Sequence, residues 1–414
     1  MAATETPPGR LAAAPQGGTG PDRATRIGYG PLPTPRPLAA GGGLSPWGRL
    51  RRLVTWLGGL LAAAPAAAVD VPPDRAEAVF HVYDGGGMTA SGPAFLVRKK
   101  LADRVSASAS YYVDAVSNAS IDVVTTASPF EETRNEVGLG LDWAVRDALV
   151  TASFSRSDEP DYKASTVGLD VAQDLFGGMT TVNLGFSRGS DDVLSVTDGG
   201  FADFARHWQY RVGITQILTP RWLMSANLEA IADEGFLGSP YRAARVFGAA
   251  VPERLPRTRN GRAVKLRALG AVGDTGSVRG ELRHYWDTWG LKATTVELGG
   301  ARRMGGDPGR WTGGWLLDAA LRLHSQNSAL FYADNAETET TYLTRNRQLS
   351  AFRSTGIFLR GQRPLKLEWG GADWQFAAAY EFKRFSFSDF TDLRTGRAYA
   401  HDAHVLQIVL AANY

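Results

Sequence analysis

Val405-Leu406-Gln407-Ile408-Val409-Leu410-Ala411-Ala412-Asn413-Tyr414 is the stretch whose pattern decides the fold. Counting back in twos from Tyr414 gives Ala412, Leu410, Ile408 and Leu406, all apolar, while the intervening set carries Asn413 and Gln407. A strand sends alternate residues to opposite faces. One face can therefore lie in lipid and end on an interfacial aromatic while the other faces a wetter space. The closing strand of a bacterial outer-membrane barrel is patterned in this way.

The same alternation recurs upstream. Val105, Ala107, Ala109, Tyr111 and Val113 interleave with Ser106, Ser108, Ser110, Tyr112 and Asp114. Trp208, Tyr210, Val212 and Ile214 interleave with Gln209, Arg211 and Gly213. Val278, Gly280, Leu282, His284 and Trp286 oppose Arg279, Glu281, Arg283, Tyr285 and Asp287. Taken through the chain, the pattern predicts an all-β fold: a transmembrane, antiparallel, up-and-down β-barrel of about sixteen strands. Loop lengths segregate as such a barrel requires. Short turns at Leu101-Ala102-Asp103, Arg146-Asp147, Phe176-Gly177-Gly178 and Thr219-Pro220 fall on one side. The long connections 117–134, 189–204, 233–259 and 325–349 fall on the other. Residues 364–373 are the one longer connection on the short side, 352–360 read as a strand with mixed faces, and 388–397 read as a loop. Trp143, Trp208, Trp222, Trp286, Trp315, Trp374 and Tyr414 sit near strand ends on the apolar face, where amphipathic rings favour the lipid–water interface.

The N-terminal region has a different composition. Residues 1–43, rich in Pro, Ala and Gly, read as a disordered extension or the product of a misplaced translation start. Residues 44–68 carry Arg49, Arg51 and Arg52, an apolar run from Leu53, and Ala66-Ala67-Ala68, the order of a signal peptide cleaved after Ala68. That leaves 69–414 as the barrel, in the bacterial outer membrane. The formal charge of +3 belongs to the leader: residues 1–68 hold seven Arg and two acids, leaving 38 basic against 40 acidic residues beyond them. Such a balance gives no reason to expect a nucleic-acid partner. With no Cys in the chain, disulfides and thiolate chemistry are excluded.

Several segments resemble a known family. They are Phe80-His81-Val82-Tyr83-Asp84 with Gly92-Pro93, and Tyr111-Tyr112-Val113-Asp114 followed by the run from Ser120 to Pro129. Ser187-Arg188-Gly189, Gln216-Ile217-Leu218-Thr219, and Asp233-Glu234-Gly235-Phe236 with Pro240-Tyr241-Arg242 complete the set. The chain is similar to domain-of-unknown-function family 3570, a group of outer-membrane β-barrels, from about Ala76 onward. The resemblance brings no activity and no catalytic residues. It implies a place near an envelope redox system, with a periplasmic protein or lipoprotein as a partner.

With the apolar set assigned to lipid, the opposite set faces the lumen: Arg211, Glu229, Lys265, Arg267, Arg279, Glu281, Arg283, Glu297, Asp318, Arg322, Glu381 and Lys383. Charges facing lipid near the midplane would cost about 2–4 kcal/mol each. Bases crowd the later strands while Asp142 and Asp170 lie on early ones, so a transverse field is expected if that separation survives folding. His401 and His404 point to opposite faces of one strand, and no His spacing suggests a metal site. No cofactor and no enzymatic activity are expected, since no spacing singles out a nucleophile with its base. The expected function is a pore or passive transporter for small polar solutes. The alternatives are a scaffold barrel holding an envelope complex and, third, an outer-membrane hydrolase. Outer-membrane lipid, lipopolysaccharide and the barrel-assembly machinery are expected partners. Removing Tyr414 should lower the amount of barrel reaching the outer membrane without loosening the folded wall. Immunoblotting of membrane fractions measures this, and normal levels of the truncated chain would refute it.

Overall fold

The computed structural model describes residues 69–118, 130–306, 313–367 and 369–414. The expected extension, signal peptide and cleavage site lie outside the described residues. The elements in order are β1 (Arg75–Gly85), β2 (Met88–Ala102), β3 (Val105–Asn118), β4 (Phe130–Val145), β5 (Ala148–Asp158), β6 (Tyr162–Leu175), β7 (Thr180–Leu194), β8 (Ala202–Thr219) and β9 (Trp222–Gly235). They continue with β10 (Ala243–Val246), β11 (Ala249–Pro252), β12 (Thr258–Val272), β13 (Gly276–Asp287), β14 (Lys292–Arg303), β15 (Leu316–Gln326), β16 (Phe352–Leu365), β17 (Asp373–Asp392) and β18 (Arg397–Asn413). Sixteen of these close into one barrel, each strand antiparallel to its neighbours, while β10 and β11 form a separate hairpin inside the β9–β12 connection. Closure is made by β18 on β1, in unbroken register from Arg75 opposite Asn413 to Gly85 opposite Ala403.

Closure follows from where the apolar side chains point. Leu139, Leu184, Leu228 and Leu298 are 51, 53, 58 and 60% exposed, and the same outward phase runs round the wall through Val212, Leu266, Leu282, Leu321, Ile357 and Ile408. A continuous apolar belt of this extent is not tolerated in water. In lipid it is required, and so is a sheet without edges, because hydrocarbon offers unpaired backbone groups no partner.

Both barrel ends carry aromatic residues. Trp143, Trp222, Trp315, Trp374 and Tyr414 lie near the ends of strands at the short-turn end. Trp208 and Trp286 lie toward the long-loop end. Trp374 stacks on Trp369 with ring centroids 5.2 Å apart. The Tyr414 ring lies 4.7 Å below Lys99 Nζ, which ties the last residue to the neighbouring rim.

Several strands run further than their alternation. β7 continues to Leu194 and β8 starts at Ala202, so the expected 189–204 loop shrinks. β17 reaches Asp392, with an irregular register between Ser386 and Thr391, through residues read from sequence as a loop. Alternation marks only the part of a strand with lipid on one side. Beyond the belt both faces are polar or packed on loops, so the ladder continues without a sequence signal. β16 reads as mixed because its inner face carries Phe352, 4% exposed, against the outward Ile357 and Leu359. Replacing Leu282, central on the outer face of β13, by Arg should cost about 2–4 kcal/mol of barrel stability. Denaturant titration of the folded barrel in lipid vesicles measures it; an unchanged midpoint would contradict the lipid-facing assignment.

Candidate functional site: a wall of ion pairs under inward-folded loops

Opposite the apolar belt, the inner face carries charge. Arg211 on β8 reaches Asp170 on β6 at 2.7 Å. Arg283 on β13 reaches Glu229 on β9 at 2.8 Å. Lys265 pairs with Glu281 at 3.1 Å and Lys383 with Glu381 at 3.1 Å. Arg279 bridges Asp318 at 2.7 Å and Glu297 at 3.4 Å, and Arg322 stands 3.9 Å from Glu297. Of the twelve residues assigned to the lumen from sequence, only Arg267 lies outside this set of ion pairs. The side chains in these pairs are half-buried to buried, so their charge is compensated by protein rather than by bulk water. Bases and acids separated along the sequence are thus mostly paired in space, while the buried Asp142 carboxylate accepts from the Thr151 hydroxyl at 2.7 Å. This pairing removes much of the separation on which a transverse field would depend.

Three of these contacts, Arg211–Asp170, Arg283–Glu229 and Arg279–Asp318, skip a strand, and over β7 a glycine makes the skip possible. Asp170, Gly185 and Arg211 lie in one register row across β6, β7 and β8. A methyl group on Gly185 would overlap both the Asp170 carboxylate and the Arg211 guanidinium. Gly92 does the same on β2. It lies opposite His81 of β1, and a side chain there would run into the Val113 carbonyl of β3. Across that gap His81 Nε2 meets Asp114 Oδ1 at 2.5 Å, and the Tyr112 ring stacks on the imidazole at 4.8 Å. His81, Gly92, Tyr112 and Asp114 all come from the first two segments that carry the family resemblance.

At the long-loop end the lumen is occupied by chain. The connections between β9 and β12 and between β15 and β16 pack on the inner wall and on each other. Leu237, Ala329 and Leu349 from the loops join Ala205, Ala263, Tyr285 and Ala293 from the wall in one apolar cluster, with Trp289 and Leu291 from the β13–β14 turn. The loops are joined by backbone pairing of Arg254 with Leu343 and of Val246 with Ala336. One anchor is Arg259, 1% exposed, which donates to Asp287 at 2.6 Å and lies 4.6 Å from the Trp289 ring. On the far side Arg345 lies 4.2 Å over the Phe390 ring, pairs with Asp334 at 2.8 Å and donates to the Thr391 carbonyl at 2.6 Å. The Tyr332 hydroxyl donates to the Asp389 carbonyl at 2.9 Å. The β15–β16 loop is therefore tied to β13–β14 at one end and to the top of β17 at the other, lying over the inner wall between them.

Above the belt, charges are set by these seats. Burial raises the Asp389 carboxyl above the ordinary range, although the Ala351 N–H donates to it at 2.8 Å and pulls it down. The Arg257 fork, 2.7 Å from both Asp203 oxygens, holds that carboxyl low. His207 stands between two carboxylates, 2.8 Å from Asp233 and 3.2 Å from Asp191. His401 faces inward against Phe385, and His404 faces outward against Tyr380. Among the described residues no group of three or more His, Asp or Glu is arranged to hold a metal ion.

Sequence reading missed Arg259, Asp287, Trp289, Arg345 and Asp334. Asp287 was visible as an inward residue and 288–290 as a turn, but their partners lie on other loops, and no local spacing links them.

The family model described as a protein of unknown function, DUF3570, matches residues 75–380. The chain belongs to this family. No curated protein matches it. Solved outer-membrane proteins are similar to it. A bacterial polysaccharide outer membrane secretin is 8% identical, with 82% of this chain and 98% of that chain covered and a TM-score of 0.47. A FadL homologue from Pseudomonas aeruginosa is 10% identical, covering 83% and 91%, at 0.40. A loop-deletion mutant of OmpT, an outer membrane protein of Vibrio cholerae, is 7% identical, covering 84% and 100%, at 0.41.

Arg259→Ala should destabilise the barrel by about 3–5 kcal/mol, because it leaves a buried carboxylate at Asp287. Double substitution of Arg259 and Asp287 by Met and Leu should recover little of that loss, because Asp287 also accepts from the Trp289 and Leu291 N–H groups at 2.9 and 3.1 Å. Both are read from the denaturation midpoint, and an undisturbed Arg259→Ala barrel would show that the anchor carries no weight.

Proposed function

We propose that this family member is an outer-membrane channel whose lumen is narrowed by its own loops, passing small polar solutes by diffusion. The observation that carries the reading is the β15–β16 loop tied across the inner wall above a charged, polar lining. A pore must offer permeant groups partners without trapping them. Ion pairs standing on a rigid wall do this: each presents a dipole rather than a bare charge. Selection would then rest on the width left beside the loops and on hydrogen bonding, more than on net charge. The reading places the long-loop end outside the cell, the short turns in the periplasm, and assembly in the hands of the barrel-insertion machinery. It assigns no catalysis to the chain.

A second reading has support in the same wall. Where lumen charges are neutralised in pairs and loops pack as a core, the barrel can serve as a scaffold, holding a periplasmic protein or lipoprotein at its short-turn end. Planar-bilayer recordings separate the two. Tyr332 pairs with Thr344 and the Ala333 N–H donates to the Thr344 carbonyl at 3.0 Å, so residues 335–342 form an excursion whose ends are already close. Replacing that excursion by two glycines should raise single-channel conductance severalfold over a small wild-type value. Silence from both proteins at every voltage would sink the channel reading, and co-purification of a periplasmic partner would then favour the scaffold.

A further inference from the structure

Most outward-facing bases near the long-loop end have an acid beside them. Arg156 pairs with Asp158 at 3.2 Å, Arg206 with Glu234 at 3.2 Å, and Arg384 with Asp402 at 2.9 Å. Lys163 stands directly opposite Asp192 in register. The face formed by β12 to β16 differs. Arg262, Lys292 and Arg353 are exposed there, each flanked along its strand by a buried inward residue: Ala263, Ala293 and Phe352. Among the described residues, no carboxylate shares that outer face at this end of these strands, and none of the three bases is in an ion pair.

Their register makes them a group. Arg262, Trp286 and Lys292 are successive neighbours across β12, β13 and β14, so the two bases stand two strand spacings apart, about 10 Å. Two residues nearer the belt, His284 Nδ1 is 2.9 Å from the Thr294 hydroxyl. In that row Thr294 is opposite Ser325, and Ser325 opposite Arg353. Directly toward the short-turn end the outer face becomes apolar at Leu266, Leu282, Leu298 and Leu323. The bases thus stand at the upper margin of the lipid-facing belt, with a Trp ring between two of them. A soluble protein partner would have to cover that margin without entering lipid. A lipid with anionic groups on its head and acyl chains beneath fits both halves at once.

We propose that the outer face of β12–β16 is a binding site for a phosphorylated glycolipid of the outer leaflet. Arg262 and Lys292 take one phosphate between them, Trp286 packs against the sugar, and Arg353 takes a second phosphate. The inference rests on the orientation assigned above, with the long-loop end outward. It gives this sector of the wall a fixed lipid contact that the acid-compensated sectors do not have. Three bases near a lipid surface are worth roughly a hundredfold in affinity.

The test is native mass spectrometry of the protein purified from outer membranes and titrated with bisphosphorylated lipid A, its dephosphorylated form, or phosphatidylglycerol. Wild type should retain lipid A. The triple variant Arg262→Gln, Lys292→Gln, Arg353→Gln should bind it roughly a hundredfold more weakly, while Arg156→Gln with Arg384→Gln should bind as wild type. Heat-modifiable gel mobility confirms that each variant is folded; because all three changes are solvent- or headgroup-facing, the wall is not disturbed. Equal binding by wild type and the triple variant overturns the proposal, as does equal loss in the control pair. Binding of phosphatidylglycerol as tight as lipid A also overturns it, since the site would then be a general anionic surface. Conductance is read on the same samples: a barrel that binds as expected but never conducts defeats only the channel reading, and one that conducts but binds indifferently defeats only this one.

Discussion

The hydrogen-bond ladder between β18 and β1 is the contact on which the rest of the molecule depends. Lipid supplies no donors or acceptors, so every backbone group in the belt must be paired within the sheet. An open sheet of sixteen strands would leave two edges in hydrocarbon. Joining Arg75–Gly85 to Ala403–Asn413 removes both. It also makes the inside of the wall a separate compartment, where side chains rejected by lipid have to be accommodated.

That compartment accommodates charge by pairing it across strands. A direct neighbour is not always available, and the wall answers with residues that have no side chain. Gly185 lets Asp170 and Arg211 meet over an intervening strand, and Gly92 lets His81 and Asp114 do the same. The result is a lining in which most charges are paired locally, the majority of them with a residue of another strand. Half-buried pairs of this kind add less to stability than to geometry, since desolvation offsets much of their attraction.

The loops use a different device. Above the belt there is water again, and the β9–β12 and β15–β16 connections can bury apolar surface in the ordinary way. They do so against the inner wall, around Tyr285, Trp289 and Leu291, and fasten the core with Arg259 and Arg345 on aromatic rings and carboxylates. A barrel whose middle obeys lipid thus has a mouth packed like a small soluble domain. The position of the loops and the seats that hold them are consequences of that packing.

How much of this was legible beforehand follows from the range of each interaction. The alternation from Leu406 to Tyr414, and the same period through strands such as Val278–Asp287, depends only on neighbours in sequence; strand count, facing and the side on which long loops fall came from it. The inward phase of Arg279 or Glu297 could be read in the same way, because a residue's face is set by parity. Which charge meets which could not, since Arg279 finds Asp318 through register, and register is a property of two chains side by side. The loop seats were further out of reach: Arg259 with Asp287, and Arg345 with Thr391, are joined by tertiary packing alone, and no period in the sequence connects them. The sequence by itself determined that this chain must close a barrel in lipid; the tertiary structure alone decided what fills it, because filling depends on contacts between segments that the local pattern never brings together.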